Sequence, residues 1–397
     1  MSQSKAYVAG VGMVPFKKPG ASLPYDAMGA EAARSALQDA GIDYRDVNQA
    51  YAGFVYGDST SGQQALYDLG LTGIPIINVN NACATGSTAL FLARQAVQSG
   101  AVDVALALGF EQMNPGALGV TATDRPSIMG RQLATARDSI AWREDVPMAA
   151  LLFGGAGEEH QRKFGTRPET FARISVKARE HAARNPMAIF RDPVSLDEVM
   201  GAKTIYGPLT RLQCCPPTCG AAAAVVVSEA YARKKGLLSQ SVEIIGQSMT
   251  TDPQATLEGN SMMRVVGYEM TRIAAQQVYE QSGVGPEEVQ VCELHDCFTT
   301  NELLTYEGLG LAAEGQAERF IMDADNTYGG RVVTNPSGGL LSKGHPLGAT
   351  GLAQCAELTW QLRGQADARQ VPGVKVALQH NLGLGGACVV TMYRRAA

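Results

Sequence analysis

The sequence contains no apolar run long enough to cross a membrane and no block of basic residues. Its apolar segment Ala221 to Val227 (AAAAVVV) is far shorter than the roughly 20 residues of a membrane helix and is typical of a buried strand. The formal net charge of −5 argues against nucleic acid as the main partner. The chain of 397 residues, 45% of them hydrophobic, has ample material for a globular core.

Targeting and metal-binding signals are also missing. The N-terminal residues lack the apolar stretch of a signal peptide and the C-terminal TMYRRAA lacks a peroxisomal ending, so we expect a cytoplasmic protein. The eight cysteines are then expected to be free thiols. Cys214, Cys215 and Cys219 form the only metal-like cluster. No histidine lies nearby at ligand spacing, so buried structural cysteines are expected and no metal site is predicted.

A dinucleotide-binding loop is absent as well. Gly10-Val11-Gly12 follows a strand pattern, but the third glycine position of that fingerprint is Pro15 and no helix pattern begins there. An oxidoreductase is therefore not expected.

Two parts of the chain show the same alternation of helical and strand patterns, which predicts an α/β fold. In the first part, an Ala-rich helix at Asp26 to Ala40 ends at Gly41. The spacing from Gly41 to Val47 recurs between Gly283 and Val289, again between a helix and a strand. This short match supports an internal duplication.

The patterns predict three regions. The first half comprises residues 1–115 and 208–250, and the second half comprises residues 251–397. The insertion at 116–207 mixes charged helical stretches with loops and shares no pattern with either half. A segment of this length is expected to cover a functional site.

Cys83 is the candidate nucleophile. It lies in NVNNACATGSTALF, where an apolar run ending at Val79 turns into a helical pattern. A helix N-terminus favours thiolate over thiol, which predicts a lowered pKa for Cys83. Ala84 and Gly86 leave room for a substrate carbonyl, and the backbone N–H of Cys83 could stabilise an oxyanion. The alternative is a buried structural cysteine.

Two further loops carry proton-transfer candidates. His295 and Cys297 lie two residues apart after a strand, so on extended backbone they share a side and could shuttle protons. His345, in KGHPLGATG, lies on a Gly-rich turn before a helix, at the loop that matches Cys83 in the repeat. A hydrogen-bonded histidine beside a buried thiol and a structural turn histidine are the alternatives.

The segment HNLGLGG, which begins at His380, is expected to follow the last strand. Backbone N–H groups near Gly383 could contribute to an oxyanion hole. A plain turn between two strands is the competing interpretation.

These four loops, in this order, resemble the thiolase superfamily, and more narrowly the thiolase domain of sterol carrier protein X and its stand-alone bacterial relatives. The resemblance covers essentially the whole chain, through GDSTSGQQALY, GIPIINVNNACATGSTALF, LHDCFTTNELLTYEGLGL, NPSGGLLSKGHPLGATGLAQCAEL and VALQHNLGLGGA. It implies the thiolase fold: two βαβαβαββ halves in a five-layered αβαβα arrangement with an inserted loop domain. It also implies a homodimer or homotetramer, with the N-terminal halves at the dimer interface.

The resemblance implies a role for each candidate. Cys83 matches the nucleophile, and His345 matches the histidine that assists the thiol and polarises the thioester oxygen. Most thiolases carry N-E-A-F where this chain has His295 to Phe298, and a cysteine acid/base in the C-terminal loop where this chain has His380. The resemblance assigns that acid/base role to Cys297 instead.

The activity implied is thiolytic cleavage of a 3-oxoacyl-CoA to acetyl- or propionyl-CoA and a shortened acyl-CoA, or the reverse Claisen condensation. Coenzyme A is then a substrate, and no metal or organic cofactor is expected. The alternatives are a retro-aldol lyase on steroid side-chain CoA thioesters with a small partner protein, a decarboxylating condensing enzyme, and a non-catalytic lipid-binding module. Retention of Cys83 and the complete set of loops favour thiolysis. Straight, branched and steroid side chains all remain open as acyl groups.

Overall fold

The computed structural model describes residues 4–116 and 124–396, so residues 117–123 of the predicted insertion lie outside it. The β-strands are β1 (Ala6–Met13), β2 (Gln49–Gly53), β3 (Ile76–Val79), β4 (Val104–Glu111), β5 (Thr204–Tyr206), β6 (Leu209–Thr210), β7 (Gly220–Ser228), β8 (Val242–Thr250), β9 (Val291–Glu293), β10 (Val333–Thr334), β11 (Val376–Gly383) and β12 (Ala387–Arg395). The α-helices are α1 (Tyr25–Ala40), α2 (Ser61–Tyr67), α3 (Thr85–Gln98), α4 (Gly130–Ser139), α5 (Met148–Phe164), α6 (Pro168–Ala182), α7 (Leu196–Met200), α8 (Glu229–Lys235), α9 (Met262–Val265), α10 (Tyr268–Ser282), α11 (Thr299–Gly308), α12 (Ala317–Met322) and α13 (Thr350–Arg363).

The two halves have the same strand order. The first sheet runs β3-β2-β4-β7-β1 and the second runs β10-β9-β11-β12-β8. In each, the first three strands are parallel and the last two are antiparallel to their neighbours. The predicted duplication is therefore present in the fold. Strand order groups β8 with the second half, whereas the sequence prediction placed residues 208–250 in the first.

Helices separate and cover the two sheets in five layers. The layers are α1 on the outer face of the first sheet, that sheet, α3 with α13, the second sheet, and α10. Leu90 of α3 and Leu352 of α13 are buried in one cluster with Val226 and Ala377 from the two sheets. A pair of short backbone contacts, Tyr7 with Glu243 and Val8 with Val242, joins the sheets edge to edge. This is the predicted αβαβα arrangement.

The glycines of Gly10-Val11-Gly12 allow α1 to pack closely on β1. A Cβ atom added at Gly10 would lie 2.3 Å from the carbonyl oxygen of Ala36, and one added at Gly12 would lie 2.5 Å from that of Ala32. These glycines therefore serve helix–sheet packing. Among the residues that the structure describes, no helix is both long and apolar enough to span a membrane.

The insertion packs against loops of the second half. The ring of Phe153, in α5, stacks on Phe298 with centroids 4.9 Å apart. The backbone N–H groups of Ile189 and Phe190 donate to the carbonyls of Lys343 and Ser342 at 3.3 and 3.1 Å. The insertion thus contacts the segments beside Cys297 and His345. Its role as a substrate cover stays a prediction.

The N-termini of α3 and α13 meet in the central layer, and glycines permit the contact. A Cβ atom on Gly86 would lie 2.7 Å from the carbonyl oxygen of Gly348. One on Gly351 would lie 2.2 Å from Oγ and 2.3 Å from the backbone nitrogen of Ser87. Because both helix starts are this close, the turn before α3 and the loop before α13 face one another.

We expect Gly351→Ala to destabilise the protein by about 1–3 kcal/mol, since the added methyl has to push the two helices apart. The control is Gly130→Ala, because a Cβ atom there meets nothing within 4 Å. The control should change stability by no more than about 0.5 kcal/mol. Urea unfolding followed by circular dichroism measures both. A Gly351→Ala variant as stable as the control would contradict the packing argument.

Candidate active site

Cys83, His295 and His345 converge from three distant segments of the chain. One potential ligand atom from each side chain lies within 4.8 Å of the other two, and all three residues are buried. The two imidazole rings pack edge to face with centroids 5.0 Å apart. The structure therefore brings together three of the residues singled out in the sequence.

The turn before α3 presents Cys83. Ala82 adopts a φ of 46°, an unusual conformation for a residue with a side chain. The Thr85 hydroxyl fixes this turn, because it accepts from the backbone N–H of Asn81 at 2.8 Å and donates to the Ala82 carbonyl at 2.7 Å. A tight turn held by its own side chain places the thiol directly ahead of the helix.

Burial raises the pKa of the Cys83 thiol to about 12, and the nearby Glu111 carboxylate adds to the effect. The prediction that the helix start lowers this pKa was therefore wrong. Removal from water costs the thiolate more free energy than the helix dipole returns. Cys83 is therefore a neutral thiol near neutral pH, and attack by its sulfur on a substrate would require a base to take the proton.

The hydrogen bonds of His345 fix which of its ring nitrogens carries the proton. Its Nδ1 lies 2.7 Å from the Thr350 hydroxyl, which donates its only hydrogen to the Pro346 carbonyl at 2.9 Å. Thr350 therefore accepts from Nδ1–H, and the lone pair of His345 is on Nε2. Within the described residues Nε2 is buried without a hydrogen-bond partner. Burial, and then the charge of Lys343, lower the pKa of His345 to about 3, so the ring is neutral.

His295 has the opposite tautomer. The Asn381 amide nitrogen lies 3.0 Å from His295 Nδ1 and 3.0 Å from the Cys83 carbonyl oxygen. Since the amide donates to that carbonyl, it also donates to Nδ1, and the proton of His295 is on Nε2. Burial, with the neighbouring histidines 345 and 380, holds the pKa of His295 well below its usual value. One neutral ring thus offers a lone pair and the other offers a proton.

Cys297 lies beside a second thiol that the sequence interpretation took as merely structural. The backbone N–H of Cys215 donates to the Cys297 carbonyl at 2.9 Å. Burial raises the pKa of Cys297 well above its usual value, with further contributions from Cys215, Cys83 and Asp296. Cys297 is therefore a neutral thiol.

The segment CCPPTC pairs with two of the candidate loops, the one that contains Cys297 and the one that contains His345. Cys214 forms an antiparallel bridge with Phe298, and Pro217 forms a parallel bridge with His345. Thr218 also accepts from the backbone N–H of His345 at 3.0 Å. The interpretation of these cysteines as plain core residues was incomplete, because the segment forms part of the site wall.

His380 and Gly383 lie within β11, so the expected loop after the last strand is in fact the end of a strand that pairs with β12. His380 contacts Thr271 Oγ1 through Nε2 at 3.0 Å and accepts from the backbone N–H of His295 at 3.4 Å. This hydrogen bond therefore helps to fix the backbone at His295. A Cβ atom on Gly383 would lie 2.3 Å from the Asn81 carbonyl oxygen, so glycine lets β11 pass close to the Cys83 turn.

Glu111, which the sequence reasoning missed, fastens two loops of the site. Its buried carboxylate accepts from the backbone N–H groups of Val55, Tyr56 and Gly348 at 3.1, 3.0 and 3.0 Å. Burial raises its pKa to about 7, although these donors act in the opposite direction. The signal was a carboxylate at the end of a buried strand, VALALGFE, where a charge requires partners.

We expect Glu111→Gln to increase the alkylation rate of Cys83 by iodoacetamide severalfold above pH 7. The glutamate ionises as pH rises through about 7, and its charge then opposes thiolate formation. The wild-type rate should therefore rise less steeply with pH than the rate of the variant. Peptide mass spectrometry measures both rates, with the partly exposed Cys214 as an internal control. Identical pH profiles would remove Glu111 from the electrostatics of the thiol.

Comparison with known proteins agrees with this geometry. The family model described as "Thiolase, N-terminal domain" matches residues 6–230, and "Thiolase C-terminal domain-like" matches residues 254–393. The chain is 55% identical over 393 residues to sterol carrier protein 2 of Rattus norvegicus, covering 98% of this chain and 72% of that protein. It is 37% identical over 400 residues to benzoylsuccinyl-CoA thiolase subunit BbsB of Thauera aromatica, covering 99% and 98%.

A solved structure supports the fold. The Ltp2-ChsH2(DUF35) aldolase matches with a TM-score of 0.84 at 24% identity, covering 100% of this chain and 99% of that one. On the two family models and the sequence relatives together, the chain belongs to the thiolase family.

Proposed function

We propose that this chain is a 3-oxoacyl-CoA thiolase with Cys83 as its nucleophile. The observation that carries the proposal is the grouping of the Cys83 thiol with two neutral histidines within 4.8 Å. Among the described residues His345 Nε2 has a lone pair without a hydrogen-bond partner, and His295 carries its proton on Nε2; these suit proton removal and oxyanion stabilisation respectively.

The first step forms the acyl-enzyme. His345 Nε2 takes the thiol proton as the sulfur of Cys83 attacks the 3-oxo carbon of the substrate. The backbone N–H of Cys83, together with one near Gly383, stabilises the resulting oxyanion. The C2–C3 bond then breaks and leaves the acyl group on sulfur and acetyl-CoA as its enolate.

The leaving enolate requires a proton and a partner for its oxygen. The thioester oxygen accepts from His295 Nε2–H and from the protonated His345, while the Cys297 thiol protonates C2. Free coenzyme A then gives its thiol proton to Cys297 and attacks the acyl group. His345 returns its proton to the Cys83 sulfur, so every group regains its starting state.

The test is a panel of straight-chain, branched and steroid side-chain 3-oxoacyl-CoA substrates, each with and without free coenzyme A. We expect cleavage that depends on free coenzyme A, and an acyl group on Cys83 detectable by mass spectrometry. Cys83→Ala should lose the acyl-enzyme and reduce turnover by more than about a thousandfold. The control Cys355→Ala, which removes a thiol buried in the hydrophobic core, should retain activity. Wild-type turnover in Cys83→Ala would contradict the proposal.

The same panel separates the alternatives. The structure named Ltp2-ChsH2(DUF35) aldolase has this fold, so a retro-aldol lyase with a small partner protein is the second candidate. Cleavage of a 3-hydroxyacyl-CoA steroid side chain without free coenzyme A would favour the lyase. Binding without cleavage or acylation would favour a lipid-binding module.

We further propose a homodimer or homotetramer formed through the first half. β3 lies at the end of the sheet and pairs only with β2 among the described strands. The exposed side chains of Tyr67 and Leu71 lie in the connection that leads to it. An unpaired edge strand is a template for pairing with a second copy. Light scattering on the purified protein tests this assembly, and a monomer would contradict it.

We expect Cys297→Ala still to accept an acyl group on Cys83 from a simple acyl-CoA, because the coenzyme A thiolate that leaves can take its proton from water instead of from Cys297. The variant should lose exchange of the C2 protons of acetyl-CoA with solvent deuterium, since no thiol remains to deliver them. Mass spectrometry follows acylation and NMR follows exchange. If exchange continues at the wild-type rate, the acid/base role belongs to another group.

A further inference from the structure

We propose that Cys83, His295 and His345 also form an inhibitory site for a thiophilic divalent cation, Zn²⁺ or Cd²⁺, in competition with acyl-CoA. A thiolate with two imidazoles is a ligand set that such ions prefer. Three protein ligands with a fourth position open is also the arrangement of many zinc sites. Binding of the cation does not depend on the proposed reaction, whereas the competition with acyl-CoA rests on the proposed function.

The distances allow coordination after a small closure. Zinc bonds of about 2.3 Å to sulfur and about 2.0 Å to nitrogen place tetrahedral ligand atoms roughly 3.3–3.6 Å apart. The three potential ligand atoms here lie within 4.8 Å of one another. A closure of at most about 1.2–1.5 Å therefore suffices. Gly344, with a φ of 117°, provides backbone freedom next to His345.

His345 is already prepared as a ligand. Thr350 holds its proton on Nδ1, and the buried Nε2 has no hydrogen-bond partner among the described residues. A buried lone pair without a partner is costly, and a cation satisfies it. The Thr350 hydroxyl then acts as the outer partner that fixes the orientation of a metal-bound histidine.

The tautomer of His295 disfavours coordination of the ion, which weakens binding and makes it reversible. Its proton lies on Nε2 because the Asn381 amide donates to Nδ1. Coordination through Nε2 requires the proton to move to Nδ1, and the hydrogen bond from Asn381 is then lost. Cys83 releases its proton to solvent in the same event, and no electron transfer occurs. The histidine tautomer that supplies an oxyanion donor therefore disfavours permanent occupation by zinc.

Cadmium titration tests the site without any assay of activity, because the thiolate–Cd²⁺ bond absorbs in the ultraviolet. We expect one ion per chain, removed by chelator, with the absorbance absent in Cys83→Ser. His295→Asn and His345→Asn should each weaken binding by more than about tenfold, as loss of a ligand costs at least as much as loss of its outer partner. Cys355→Ala, the control, removes a thiol buried in the hydrophobic core and should bind as wild type does. Prior acylation of Cys83 by an acyl-CoA should block the absorbance.

Two outcomes would overturn the proposal. Unchanged absorbance in Cys83→Ser would move the ion to other thiols, such as those of CCPPTC. If the absorbance is lost in Cys83→Ser but neither histidine variant weakens binding, a lone thiolate binds cadmium. Failure of thiolysis with intact cadmium binding would reject the proposed reaction and leave the cation site standing.

Discussion

The close approach of two helix N-termini is the constraint on which the site depends. α3 follows Cys83 and α13 follows the loop of His345, and both helices lie in the layer shared by the two sheets. A side chain at Gly86 or Gly351 would overlap the opposite segment at less than 3 Å. Because both positions are glycine, a turn from each half reaches the same point. β11, from the second half, also packs against the Cys83 turn through Asn381 and Gly383.

Burial of the site sets the protonation states of its side chains. Burial holds the Cys83 and Cys297 thiols protonated and both histidines neutral. The site therefore contains no preformed ion pair between thiolate and imidazolium. Proton positions are set instead by outer hydrogen bonds: the Thr350 hydroxyl accepts from Nδ1–H of His345, and the Asn381 amide donates to Nδ1 of His295. In the proposed reaction, proton transfer therefore accompanies bond formation, and charge develops where donors already point.

Local sequence patterns predicted the elements well where a helix or strand has its own signals. The Ala-rich helix expected at residues 26–40 is α1, and its glycine cap adopts the left-handed conformation. The helix expected after the Gly-rich turn of His345 is α13. The end of β11 was misplaced, because the strand continues through His380 to Gly383 only by pairing with β12. Membership of β8 in the second sheet likewise depends on pairing, which a single segment does not reveal.

The sequence by itself determined the duplicated α/β plan and the residue types that meet at the site, since strand ends, glycines and helix starts are local features. Only the tertiary structure decided the protonation of those residues and their neighbours. Glu111 and Cys215 reach the site through folding, and the pKa of Cys83 rises because other segments exclude water from it. The physical reason is that desolvation and hydrogen-bond partners come from distant parts of the chain.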